Sequence, residues 1–206
     1  MRKFLTFLAA LLFAAAPAFA LTDTETAALK RAEGYLNGIS TLQARFVQVN
    51  PDGSSHEGDL YISRPGKMRL AYDPPTPMLM VADGVFLIYV DTQMKDVSHI
   101  DLNDTPAGLL LKKDLSFTDS DIKLGGVKAA TGTVEIAVSM TKDPAAGKLT
   151  LVFTEAPFEL KQWRVVDAQR KEVVVTLDNI RLGGKLDANL FKYDAKKRGQ
   201  DRGDKN

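Results

Sequence analysis

The chain has 206 residues, of which 45% are hydrophobic and 26% charged, with 27 Lys and Arg against 26 Asp and Glu. This near balance excludes a global basic field of the kind that attracts nucleic acid, so no nucleic-acid partner is expected. The chain has no Cys. It therefore has no disulfide and no lipid-bearing Cys at a processing site, and we expect its stability to come from packing.

Residues 1–20 have the pattern of a secretory signal peptide. Arg2 and Lys3 give a positive start, Leu5 to Ala16 is apolar, and Ala18-Phe19-Ala20 is a small-x-small cleavage site. The apolar run is too short and too poorly flanked for a membrane span. We therefore expect export to the periplasm, cleavage after Ala20 and a net charge of about −1 afterwards.

The remaining chain begins with one amphipathic helix and continues as strands. Thr22 and Glu25 form a capping box ahead of helically spaced apolar residues, and Gly38 is a plausible stop. The hairpin from Gly58 to Pro75 turns at Arg64-Pro65-Gly66 and shows the period-two alternation of strands. The same kind of pattern predicts further strands near 42–49, 78–81, 85–90, 95–101, 122–129, 133–140, 148–155, 159–166 and 172–182.

One helical insert interrupts the strands. Thr105 as N-cap and Pro106 at the first helical position predict a short helix through Leu111. About ten or eleven antiparallel strands strain an open sheet, which tends to curl. The prediction is a mainly β domain over 21–193, a strongly curved sheet or open barrel with both helices on its concave side. Residues 194–206 are predicted to be a basic, disordered tail that is solvated rather than docked.

Side chains for catalysis or metal binding form no pattern in the sequence. His56 and His99 lie in polar strand contexts without Cys, Asp or Glu at ligand spacing, and Gly-rich phosphate loops and nucleophile elbows are missing. We therefore expect no catalytic residue, metal or cofactor, and a protein that is not an enzyme.

The apolar residues of the strands are the feature left to explain. Met68, Leu70 and Tyr72 share one face of a strand. Together with residues of later segments they are typical either of the wall of a ligand cavity or of the core beneath the two helices. Arg64 has the same parity as Leu60 and Ile62, so a charged residue points where apolar ones point. An Arg that reaches solvent at the strand end is the plain alternative to a functional role.

The sequence resembles the periplasmic outer-membrane lipoprotein carrier proteins. The resemblance covers nearly the whole mature chain in order and spacing, and no one of its motifs is unique. It is carried by Ala44-Arg45-Phe46-Val47-Gln48, Gly58-Asp59-Leu60, Arg64-Pro65-Gly66-Lys67-Met68-Arg69, Tyr72, Pro75, Val81-Ala82-Asp83-Gly84, Tyr89 and Thr105-Pro106.

The resemblance implies an unclosed antiparallel β-barrel of about eleven strands with a helical lid, and Arg64 matches the family's lid-holding arginine. It implies a monomer that takes triacylated lipoproteins from an inner-membrane ABC transporter and delivers them to the outer membrane, usually through an acceptor lipoprotein. The residues expected to line the acyl-chain cavity are Leu36, Phe46, Leu60, Ile62, Met68, Leu70, Tyr72, Met78, Met80, Ile88, Leu109, Leu110, Phe153 and Trp163. The alternative is a periplasmic lipid-binding or sensing module of the same fold that does not deliver lipoproteins.

Overall fold

The computed structural model describes residues 21–145 and 147–193. The predicted signal peptide and the predicted tail lie outside these residues. The helices are α1 (Asp23–Gly38) and α2 (Pro106–Leu110). The strands are β1 (Thr41–Val49), β2 (Ser55–Ser63), β3 (Lys67–Tyr72), β4 (Met78–Asp83), β5 (Phe86–Asp91), β6 (Asp96–Asp101), β7 (Ile122–Ala130), β8 (Thr133–Met140), β9 (Gly147–Glu155), β10 (Phe158–Asp167) and β11 (Glu172–Leu182).

All eleven strands belong to one antiparallel sheet. Its order is β6-β5-β4-β3-β2-β1-β11-β10-β9-β8-β7, so two meanders are joined where β1 pairs with β11. The edge strands β6 and β7 follow each other in the chain without pairing, and the connection between them carries α2. This unclosed, curved sheet with helices confirms the predicted fold class.

The helix α1 lies on the concave face of the sheet. Its capping box is formed as predicted, since the Thr22 hydroxyl accepts from the Glu25 N–H and the Glu25 carboxylate accepts from the Thr22 N–H at 2.8 Å. Ala28, Leu29, Ala32 and Leu36 are buried in the core beneath it. Through these residues α1, which is about four turns long, covers part of the concave face. Within the described residues no helix is long and apolar enough to cross a membrane.

The connection from β6 to β7 covers another part of the concave face of the sheet. It begins with a 3₁₀ turn, Leu102–Asp104, and continues into α2, where Thr105 caps the Gly108 N–H as predicted from the sequence. A side chain at Gly108 would place its Cβ 2.1 Å from the Leu102 oxygen. Gly108 thus lets α2 fold tightly against the 3₁₀ turn, and Leu109, Leu110 and Leu111 are buried against the sheet.

The C-terminal segment packs on the opposite, convex face. A 3₁₀ turn, Ala188–Phe191, contacts β3 and β4, and the Arg69 guanidinium donates to the Leu190 oxygen at 3.1 Å. Phe191 is buried there, together with residues of β4 and β5 that lie outside the main core, namely Val81, Ile88 and Val90. This segment explains why β4 and β5 are apolar on both faces.

Candidate functional site

An apolar cavity of about 420 Å³ lies between the walls of the sheet and beneath α2. One wall comes from β3, β4 and β5, and the other comes from β9, β10 and β11. The lining residues are Gln48, Met68, Leu70, Tyr72, Met78, Met80, Leu87, Tyr89, Ile100, Asp104, Thr105, Pro106, Ala107, Leu110, Leu149, Trp163, Val165, Val173 and Val175. Its volume falls in the range of about 300–1,000 Å³ that is usual for small-ligand sites.

Half of the residues predicted to line a cavity are found on its wall. They are Met68, Leu70, Tyr72, Met78, Met80, Leu110 and Trp163. The alternation along β3 turns Met68, Leu70 and Tyr72 to the concave face, and Met80 lies opposite Leu70 on β4. Whether they hold an acyl chain is a matter for the proposal below.

Five predicted lining residues are packed in the core beneath α1 and lie outside the cavity wall. Leu36, Phe46, Leu60, Ile62 and Phe153 are all nearly or fully buried in the main core. For Phe153 the neighbours are aromatic, because it stacks on Phe158 at 5.1 Å and meets the Tyr35 ring edge-on at 5.9 Å. These five residues lie off the cavity wall because α1 packs over this part of the concave face, which alternation along a strand does not reveal.

Two other predicted lining residues also lie elsewhere. Ile88 points to the convex face, where it lies opposite Val81 under the C-terminal segment. Both parities of β5 are apolar, so the sequence does not show which one faces inward, and in the structure it is that of Leu87 and Tyr89. Leu109 is not part of the cavity wall and lies near Val138 and Leu149, of which Leu149 also borders the cavity.

Several lining residues were missed by the prediction. Val173 and Val175 alternate on β11 and complete the far wall together with Val165 and Leu149. Their alternation was a signal that they face the same side as one another. The sequence contains no signal that this side faces Met80, because the two walls come from strands about 90 residues apart.

A small polar group interrupts the apolar lining. The Tyr72 hydroxyl donates to Gln48 Oε1 at 2.7 Å, and Gln48 Nε2 donates to Asn50 Oδ1 at 2.8 Å. Burial raises the pKa of Tyr72, and so does the neighbouring Tyr89. Burial also raises the pKa of Tyr89, so both phenols are neutral donors at physiological pH.

Arg64 joins the ends of both helices. Its Nη1 donates to the Leu36 oxygen in the last turn of α1, and its Nε donates at 3.0 Å to the Lys112 oxygen just after α2. Nη2 donates to the same Lys112 oxygen and reaches Asn37 Oδ1 at 3.4 Å. The carbonyl oxygens at a helix C-terminus lack partners within the helix and attract cations, so both ends suit a guanidinium. Burial lowers the pKa of Arg64, and the Asp114 carboxylate opposes this shift.

The loop after α2 is held directly by α1. Asn37 forms two hydrogen bonds with the Leu115 main chain, each 2.9 Å long. Glu33 Oε1 accepts from the Phe117 N–H at 2.7 Å and from the Ser116 hydroxyl at 3.1 Å. We use the term lid for α1 together with residues 102–117, because these contacts and Arg64 tie the two parts together.

The start of α2 has an attachment of its own. Asp104, which borders the cavity, forms an ion pair with Lys142 from the turn after β8. Both side chains are more than half exposed. The contact therefore spans the gap between the 3₁₀ turn and the far wall at the protein surface.

The histidines are apart from the cavity wall. His56 Nδ1 lies 3.0 Å from the Thr76 hydroxyl, and the His99 ring meets Phe86 edge-on at 6.0 Å. Within residues 21–145 and 147–193 no group of three or more His, Asp or Glu is placed to hold a metal ion.

Comparison with known proteins shows the family of this chain. Residues 37–194 match the family model described as outer membrane lipoprotein carrier protein LolA. The chain belongs to this family. The LolA family consists of carriers and is not a family of enzymes.

Individual relatives agree with the family match. The chain is 29% identical over 197 residues to the outer-membrane lipoprotein carrier protein of Pseudomonas aeruginosa strain UCBPP-PA14, covering 91% of this chain and 92% of the relative. It is 29% identical over 194 residues to the protein of that name from Azotobacter vinelandii, covering 88% and 92%. A crystal structure of a DUF1329 family protein from Desulfovibrio piger has the same fold, with a TM-score of 0.53, 12% identity and coverage of 84% and 98%.

Proposed function

We propose that this protein carries lipoproteins across the periplasm and shields an acyl chain in the cavity beneath α2. The observation that carries the proposal is an apolar cavity under a lid whose two helix ends are held by one half-buried arginine. Export to the periplasm rests on the sequence pattern of residues 1–20, with cleavage after Ala20. Family membership supports the further proposal that a lipoprotein-releasing ABC transporter is the donor and an outer-membrane lipoprotein the acceptor.

The cavity size fits one acyl chain in this conformation. A methylene fills about as much space as a water molecule, about 30 Å³, so 420 Å³ holds about 14 methylenes. Their burial is worth on the order of 10 kcal/mol. A cargo with three acyl chains needs more room, and the lid has to move to provide it.

Release of the cargo requires that the affinity for its acyl chain be lower than full burial alone would give. If the lid must open for binding, the apparent affinity falls in proportion to the fraction of molecules that are open. Hydrogen bonds that favour the closed, empty state therefore help cargo leave. This gives the Arg64 contacts a function beyond stability.

The test is transfer of a fluorescent triacylated lipopeptide from donor to acceptor vesicles by the mature protein. Met80→Lys places an ammonium group in the cavity and should lower the transfer rate about tenfold or more. Val47→Lys, on the exposed outer face of β1 beside Glu57, is the matched control and should transfer as the wild type does.

Two outcomes would contradict the proposal. Equal transfer by Met80→Lys and wild type would place the lipid elsewhere on the protein. Lipopeptide that is bound by the wild type but never reaches acceptor vesicles would favour the lipid-binding or sensing module instead.

A further inference from the structure

The two tyrosines in the cavity differ in how their hydroxyl groups are satisfied. Tyr72 donates to Gln48, whose amide continues the hydrogen bonding to Asn50 and from there to Ser54. Tyr89 also faces the cavity, from β5, but its hydroxyl makes no hydrogen bond within the described residues. Among the described residues the fully buried side-chain oxygen without a partner is that of Tyr35, so the half-buried Tyr89 hydroxyl is accessible to water or to a ligand in the cavity.

The position of Tyr89 makes it available to a ligand. It lies opposite Met80 on β4, and Met80 lies opposite Leu70 on β3, so all three belong to one row across the cavity wall. Tyr72 is the last residue of β3, and Tyr89 lies close enough to raise the pKa of Tyr72. An alkyl chain on Leu70 and Met80 would thus bring its first polar atoms within reach of these phenols.

The charge of the lining limits what that polar group can be. Among the described residues that line the cavity there is no Lys, Arg or His, and Asp104 is an acidic residue at its border. The nearest cation to this border, Lys142, is already paired with Asp104, so an anionic headgroup would find no free counter-ion on the cavity wall. A neutral acceptor, such as the carbonyl oxygen of an ester or amide, suits a neutral phenol donor.

We propose that the Tyr89 hydroxyl is a specificity-determining donor that binds the ester or amide carbonyl at the head of an acyl chain. This inference rests on the proposed function, because it assumes that the cavity holds an acyl chain. Tyr89 would then fix how deeply the chain enters, since the carbonyl stops at the phenol while the methylenes continue along Leu70 and Met80.

The test compares methyl myristate with hexadecane, two chains of similar length of which only the first has a carbonyl. Both are delivered from cyclodextrin, and binding is followed by the emission of Trp163, which is the single tryptophan of the sequence and lies on the cavity wall. Tyr89→Phe removes only the hydroxyl and should weaken methyl myristate about three- to tenfold. It should leave hexadecane binding within about twofold of the wild-type value.

Two controls separate the possible failures. Tyr61→Phe removes a phenol hydroxyl from the outer side of β2 and should change neither affinity. Tyr89→Phe should unfold at the same temperature as wild type or above it, because no internal hydrogen bond is lost.

Two results would contradict the proposal. If Tyr89→Phe lowers the affinity for both ligands equally, or for neither, the assignment of Tyr89 is wrong. If neither ligand perturbs Trp163 in the wild type, the proposed acyl-chain cavity itself is wrong.

Discussion

The guanidinium of Arg64 and the main-chain oxygen of Lys112 are joined by two donors, Nε at 3.0 Å and Nη2. A third donor, Nη1, is left for the Leu36 oxygen at the end of α1. Only a planar, forked cation can serve both positions at once, because an ammonium group presents its charge at one point. Arg64 thus makes the position of α2 depend on the position of α1.

Replacing Arg64 should open the lid while the sheet stays folded. Arg64→Leu removes all of these hydrogen bonds, and Arg64→Lys can restore at most part of them. Each hydrogen bond to a charged group contributes about 1.5–3 kcal/mol, so the closed state should lose most of its advantage in Arg64→Leu. We expect cargo to bind Arg64→Leu and not to be handed on.

The measurements are lipopeptide transfer and acrylamide quenching of Trp163. Quenching should rise in the order wild type, Arg64→Lys, Arg64→Leu, as the cavity becomes more accessible. Lys142→Gln, which removes the exposed ion pair with Asp104, is the comparison and should have a much smaller effect. Normal lipopeptide transfer by Arg64→Leu would contradict the lid role.

Asn37 should control the loop after α2. Asn37→Ala leaves the Leu115 N–H and carbonyl without their present partner, at an expected cost of about 1–3 kcal/mol. Amide hydrogen exchange should become faster in residues 115–117 and change little in β8 and β9. Lys30→Ala, on the exposed side of α1, is the control, and equal exchange in both variants would show that α1 does not hold this loop.

Gly58 should tolerate no side chain. A Cβ there would lie 2.2 Å from the Ala71 oxygen and 2.8 Å from the Phe46 ring, and a neighbouring strand cannot yield as a flexible side chain can. We expect Gly58→Ala to cost roughly 3 kcal/mol, which lowers the unfolding temperature by about 10 °C. Thermal unfolding followed by circular dichroism checks this value.

The contrasting glycine is Gly34, inside α1. A Cβ there has no neighbour within 4 Å, so Gly34→Ala should gain about 0.5–1 kcal/mol from helix propensity and raise the unfolding temperature. The same direction of change in both Gly→Ala variants would contradict the packing difference between the two sites.

The stabilising effect of Asp73 should depend on pH. Hydrogen bonding to Arg45 lowers the pKa of Asp73, and Arg45 also donates to Asp59 at 3.1 Å on the outer face of the sheet. Because the pKa is lower in the folded state, the stabilisation is present above the unfolded value of about 3.9 and is lost as the pH falls through the folded value.

The free energies of unfolding of wild type and Asp73→Asn should therefore differ at pH 7 and converge as the pH falls below the folded-state pKa of Asp73. Urea denaturation at several pH values measures the difference. Asp96→Asn, at an exposed position of β6, should give a smaller and flatter difference. A gap for Asp73→Asn that is as large at pH 3 as at pH 7 would rule out the ion pair as its source.

The sequence predicted the local structure closely and the location of the cavity only in part. The capping box of α1 and the alternation of β3 are properties of neighbouring residues, and both are confirmed in the structure. Phe153 and Ile88 were expected on the cavity wall and lie elsewhere. Their burial under α1 and under the C-terminal segment depends on residues far along the chain. Gln48 could have been found, since it shares the inward parity of Phe46 on β1, the same kind of misfit that drew attention to Arg64.

The C-terminal 3₁₀ turn on the convex face has a mechanical consequence for the cavity. The wall formed by β3 and β4 is backed from outside by Phe191 and by the Arg69–Leu190 hydrogen bond, so it is braced against bulging outward. The start of α2, in the connection between the unpaired edges β6 and β7, is held at the surface by the exposed Asp104–Lys142 ion pair. When the cavity expands around a larger cargo, α2 should therefore move outward while the β3–β4 wall keeps its shape.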